Sequence, residues 1–169
     1  MQNNLSDLII RAEKLEDSHS IIVFNIEHKE LDSISNNLSL ILPLDFREIN
    51  IAIGHASFNS MEFFRVTQKS NGIIRNNLEI RKQYIEDSEG KSDMSHILVL
   101  ADDDGGSVFM ITQDSLENPT PVIWCDYGDM YYYSIHKEFR NPHDEWPSFT
   151  AFFEYLVEQE EQKLREDLS

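Results

Sequence analysis

Residues 97–126 constrain the fold more than any other stretch of the chain. Two apolar runs, Ile97-Leu98-Val99-Leu100 and Val108-Phe109-Met110-Ile111, have strand length and are rich in β-branched and aromatic side chains. Between them lie Asp102-Asp103-Asp104-Gly105-Gly106. Aspartates bond their own backbone and glycines accept φ > 0, which suits a tight reversal between antiparallel strands. A connector with two prolines, Asn118-Pro119-Thr120-Pro121, is stiff and short of backbone donors, and it leads into Val122-Ile123-Trp124-Cys125. The spacing predicts a meander of neighbouring strands with an acidic tip.

The flanking segments are mostly helical in period. Leu5, Leu8, Ile9, Ala12 and Leu15 predict an amphipathic helix over residues 4–16. Residues 21–24 are either a short strand or an apolar linker. Asn25 is read as the N-cap of a second helix burying Leu31, Ile34 and Leu38, and Pro43 as the first turn of a third that runs to Gly54. Residues 58–66 read as a strand, residues 74–85 as a helix and residues 87–95 as a loop. After the meander, Tyr131, Tyr132, Tyr133 and Ile135 predict a fourth strand, and residues 141–147 a loop. Ser148 then caps a last helix with Phe149, Phe152, Phe153, Leu156, Val157 and Leu164 on its apolar face. The expected fold is therefore a single α+β domain. Its mostly antiparallel sheet has about four to six strands, flanked by N-terminal helices and a long C-terminal helix.

Charge narrows the function. The chain carries 31 acids against 14 bases, a net charge of −17. Residues 1–85 contribute only −2, residues 86–145 contribute −11, and the rest −4. Such a surface repels nucleic acid and anionic lipid and speeds encounter with a basic protein. A membrane or nucleic-acid partner is not expected. No apolar run approaches the ~20 residues of a transmembrane helix, and the first ten residues lack the basic and apolar regions of a secretory signal. The one cysteine, Cys125, excludes an internal disulfide and suits a reducing compartment. A cytoplasmic location is expected.

Catalytic chemistry is hard to assemble. Phosphate-binding, dinucleotide-binding, zinc-protease and nucleophile-elbow patterns are absent. Cys125 sits in an apolar and acidic setting that disfavours the thiolate. A calcium loop starting at Asp102 would put Gly106 at its fifth position and Gln113 at its twelfth, so the ligand spacing fails. His136, His143, Asp144 and Glu145 are close in sequence but lack metal-site spacing. No cofactor, metal or catalytic residue is assigned. The residues that suit a protein contact are the tip acids Asp102, Asp103 and Asp104, together with Asp126, Tyr127, Asp129, Tyr132, Asp144 and Glu145. There, aromatic side chains stand among carboxylates, a combination common at interface hot spots.

Several of these segments, in order, resemble the SUKH superfamily. They are Leu42-Pro43-Leu44-Asp45-Phe46-Arg47-Glu48-Ile49, the run 97–101, Asp104-Gly105-Gly106, Pro121-Val122-Ile123-Trp124 and Ser148-Phe149-Thr150-Ala151-Phe152-Phe153. The likeness spans about residues 25–160 and leaves residues 1–17 as an added N-terminal helix. It implies an α+β domain that binds proteins and performs no chemistry. Bacterial members of the family are immunity proteins that neutralise polymorphic toxins, often nucleases, and fungal members regulate cell-wall assembly. The expectation is a non-catalytic immunity protein for a basic toxin partner. A regulatory scaffold of the same family without a toxin is the alternative, and a metal-dependent hydrolase using His143, Asp144 and the Asp102-Asp103-Asp104 turn is a more distant one.

Overall fold

The predicted reversal is present, and the other elements assemble around it. The computed structural model describes residues 2–58, 61–66, 72–103, 105–112 and 120–167. In chain order its elements are α1 (Gln2–Asp17), β1 (Ile21–Phe24), α2 (His28–Leu38), α3 (Leu44–Ala52), β2 (His55–Phe58), β3 (Glu62–Phe63), α4 (Ile73–Asp87), β4 (Ile97–Asp103), β5 (Gly106–Ile111), β6 (Val122–Asp126), α5 (Tyr127–His136), β7 (Asp144–Trp146) and α6 (Phe149–Asp167). Strands β3 to β7 form one antiparallel sheet in that order, and β1 pairs with β2 in a separate ribbon. The architecture is α+β, as expected.

The hairpin uses its two glycines differently. Gly105 turns the chain at φ +96°, where a side chain would be strained. Gly106 is already a strand residue opposite Asp103 and Asp126. A Cβ there would lie 2.6 Å from the Cys125 carbonyl oxygen and 3.0 Å from the Trp124 indole, so only glycine lets the ring lie across the strand.

Strand β4 contains a bulge. Val99 pairs with Phe109 but Ala101 pairs with Val108, leaving Leu100 as the extra residue. Its carbonyl accepts from the Phe64 N–H at 2.8 Å. Short β3 pairs only with Ala101 and Asp102, so the earlier part of the β4 edge needs other partners. Helix α4 supplies them with side chains. The buried Asn77 amide donates to the Val99 carbonyl and its oxygen accepts the Val99 N–H, both at 2.8 Å. One turn on, Arg81 donates to the carbonyls of Ile97 (3.2 Å) and Leu38 (2.8 Å), which ties α2 to the same edge.

Both sheet faces are covered. Leu98, Leu100, Val108, Met110 and Val122 belong to a large core with α1, α2, α3 and α6. On the opposite face Val99, Phe109, Ile123 and Cys125 pack with Tyr84 and Met130. Helix α6 buries Phe149, Phe152, Phe153, Leu156 and Val157, and burying a side chain of this size contributes roughly 1.5–3 kcal/mol. Its first turn is held by Ser148 Oγ, which accepts the Ala151 N–H at 3.1 Å, and by Asp45 Oδ2, which accepts the Thr150 N–H at 3.0 Å. Helix α1 lies on α6 through a two-bond Arg11–Glu161 pair at 3.0 and 2.9 Å.

Four expectations are corrected. Tyr131, Tyr132, Tyr133 and Ile135 belong to helix α5, because Asp126 caps its first turn and Met130 and Ser134, four residues apart, face inward. The predicted 141–147 loop contains β7, which exists because β6 offers Val122, Ile123 and Trp124 for pairing. The single strand expected over residues 58–66 is divided between the end of β2 and β3. The N-cap of α2 is Glu27, not Asn25, with a reciprocal bond between its N–H and Glu30 at 2.8 Å.

Two stability predictions follow from buried polar side chains. Asn77→Leu orphans the Val99 N–H and C=O together and should cost about 2–4 kcal/mol in urea denaturation. An unchanged midpoint would show that the strand edge finds other partners. His55, 7% exposed, has its pKa lowered to about 4 by burial and then by Arg65. The unfolded chain takes up a proton near the ordinary value while the fold resists, so stability falls as pH drops from 6.5 toward about 4. The loss should reach roughly 2 kcal/mol near pH ~5. His55→Gln should flatten that slope, and parallel pH profiles for the two proteins would disprove the assignment.

Candidate protein interface

The acidic residues singled out in the sequence fall into separate places. At the glycine end of the sheet, Asp102 pairs with Ser107, and Ser107 with Cys125, so the three share a face. The Ser107 hydroxyl donates to Asp102 Oδ1 at 2.9 Å. Above them the Tyr84 phenol donates to the Tyr127 carbonyl at 3.5 Å. Its pKa is raised by burial and then by the negative charge that Cys125, Asp102 and Tyr127 can carry. The same forces act on the thiol. Burial first, and Asp129 and Asp126 next, push Cys125 up to about 12, so it stays protonated at neutral pH.

Asp126 ends β6 and caps α5, accepting the Asp129 N–H at 3.0 Å. Its carboxylate side remains exposed, as does Tyr127 at 43%. Asp129, three residues on, is 1% exposed. It takes Arg140 Nε at 3.2 Å and Asn141 Nδ2 at 2.7 Å, fastening the segment after α5 onto the helix. Tyr132 is likewise engaged within the chain. Its ring stacks on His136 at 4.1 Å, the Arg140 guanidinium lies 4.7 Å from its centroid, and its hydroxyl donates to Glu138 at 3.2 Å. Tyr131 and Tyr133 pack inward, against Tyr84 and against Phe109 and Phe139.

Asp144 and Glu145 are adjacent in an edge strand and so point to opposite faces. Glu145 is paired with Ile123 and its carboxylate approaches His143 Nε2 at 3.4 Å, on the α5 side. Asp144 is paired with Trp124 on the α6 side, the face it shares with Asp126 by alternation along β6. Asp103 has a placed backbone opposite Gly106, and Asp104 lies outside the described residues. Of the expected set, Asp102, Asp126 and Tyr127 gather at one end of the sheet. Asp144 joins Asp126 on one face, Glu145 takes the other, and Asp129 and Tyr132 are held by contacts inside the fold.

Three side chains beside Asp144 extend this face. Trp146 lies two residues on in β7, wedged against Phe152 at 4.8 Å and against Tyr155 of α6 at 5.1 Å. Tyr155 is 39% exposed, and Glu158, one turn further, is exposed. The apolar stripe of α6 at 149, 152, 153, 156 and 157 leaves 155 and 158 facing away from the core, so the helical period alone placed them outward. Proline brackets β7 closely, with Pro142 before it and Pro147 directly after.

Other places offer less chemistry. An apolar cleft among Phe46, His55, Phe58, Phe63, Phe153 and Leu156 carries only Asn50 and His55 as polar side chains, and the Asn50 amide is taken by the Phe46 carbonyl. Among the described residues no three His, Cys, Asp or Glu side chains converge as metal ligands, and no helix is long and apolar enough to cross a membrane. No family model matches the chain, and no curated protein matches it.

The cap at Asp126 separates its structural part from its charge. Asp126→Ala should cost about 1 kcal/mol in urea denaturation, whereas Asp126→Asn, which keeps an acceptor, should cost a few tenths at most. Equal losses would mean that charge, not the cap bond, matters there.

Proposed function

We propose that this chain is a non-catalytic immunity protein of the SUKH type, which binds a cognate basic protein toxin through the acidic surface of its C-terminal half and neutralises it. One observation carries the reading. Two of the three bases in residues 86–145 are committed within the fold, Lys137 to Asp93 at 3.3 Å and Arg140 to Asp129 at 3.2 Å. Among the described acids of that segment, Asp126, Asp144 and Glu145 are exposed.

A nuclease suits this surface best among toxin classes, because its substrate cleft is cationic and an acidic domain can cover it. The segments on which the family resemblance rests fall in or beside α3, the β4–β5 hairpin, β6 and the start of α6. Inhibition by occlusion asks for no chemistry, and the groups at hand supply little. Ser107 bonds to Asp102 without a histidine between them, and the Cys125 thiol is held protonated.

Co-purification from the native cell should recover a basic protein in one-to-one complex. Reversing Asp144 and Glu145, both exposed, to Lys should then slow association about tenfold at low salt and flatten its salt dependence, with the folding midpoint changed little. Asp129 is unsuited to that test, since reversing a carboxylate buried against Arg140 would disturb the fold itself. Association rates indifferent to both reversals and to salt would remove the acidic-surface reading.

A further inference from the structure

We infer that the surface formed by Asp144, Trp146, Tyr155 and Glu158 is an arginine-binding site for an extended basic segment of the protein partner. The inference rests on the reading of a basic partner and assigns it a place and a side-chain chemistry. Two rings in contact, Trp146 and Tyr155, form the floor, with centroids 5.1 Å apart and planes tilted by 42°. Exposed carboxylates stand at both ends. Asp144 shares the strand face of Trp146, and Glu158 lies one turn from Tyr155. The floor is anchored from below, because Trp146 packs edge-on against Phe152, which is fully buried.

Arginine fits this arrangement better than lysine. A guanidinium is flat, weakly hydrated and stacks on aromatic faces while its fork donates to a carboxylate, whereas an ammonium is a compact, strongly hydrated charge. The chain itself shows the mode a short distance away, where Arg140 lies over Tyr132 and donates to Asp129. Among the described residues no arginine or lysine lies over Trp146 or Tyr155. On the α1 side, Arg11 is bonded to Glu161, approaches Glu154 at 3.6 Å and lies within electrostatic reach of Glu158. The contact made here is by side chains, since prolines on either side of β7 discourage addition of a strand.

The probe is an N-acetylated, C-amidated Arg-Gly-Arg-Gly-Arg peptide, with its Lys-for-Arg counterpart, titrated into the full chain at about 0.15 M salt and read by NMR and calorimetry. The arginine peptide should shift the Trp146 indole N–H and bind at least about fivefold more tightly than the lysine peptide. Tyr155→Leu, which keeps the apolar contact and removes the ring, should weaken it about fivefold, and Asp144→Lys with Glu158→Lys about tenfold. Glu13→Lys with Asp17→Lys changes net charge equally on α1 and should leave binding within about twofold. Equal affinity for the two peptides, or an equal loss from the α1 reversals, would overturn the site. If a captured basic partner depends on Glu145, on the opposite face, but not on these residues, this inference fails while the proposed function stands.

Discussion

The fold depends on how the edge of β4 is closed beyond the reach of β3. The bulge at Leu100 turns the strand so that β3 covers only Ala101 and Asp102. Val99 and Ile97 would otherwise present buried, unpaired backbone groups, each a loss of about 1–3 kcal/mol. The Asn77 carboxamide, with one donor and one acceptor aimed at Val99, reproduces what a neighbouring strand would offer. Helix α4 thus acts as the missing strand. Since Arg81 of the same helix also holds the end of α2, the sheet and the N-terminal helices are positioned by one closure.

Most of this was legible where the determinants are local. The hairpin followed from Asp and Gly between two apolar runs, and α6 from a serine cap and a stripe at positions 149, 152, 153, 156 and 157. The segment 131–135 was misread because three tyrosines and an isoleucine have strand propensity, and what overrides propensity there is placement. Asp126 caps the turn, Met130 and Ser134 bury, and Tyr133 stacks on Phe139 at 4.5 Å. The Asp-x-x-Asp spacing at 126–129 resembles a helix-start signal and was available to reading. Strand β7 was not, since its pairing is supplied by β6 and by nothing in residues 141–147 themselves.

The candidate interface was legible as composition and not as arrangement. That residues 86–145 are acidic could be counted, but strand alternation sends Asp144 and Glu145 to opposite faces, and burial turns Asp129 into a brace for Arg140 and Asn141. Conversely Tyr155 and Glu158 escape a search for acidic clusters because they lie on a helix read for its core face. A carboxylate in a charge count therefore has one of two roles here. Asp45, Asp126 and Asp129 hold backbone or cationic groups of the fold, while Asp144 and Glu158 are exposed.

The sheet stops at β7, which is three residues long, carries two acids and has Pro142 and Pro147 on either side. Hydrogen-bonding registers for another chain are few along such an edge, and like charge repels an identical copy from it. A second molecule of the same protein thus finds a poor template at this edge on which to continue the sheet. Strand-by-strand growth into fibrils or swapped assemblies is therefore disfavoured at this acidic edge, and any contact made there falls to side chains.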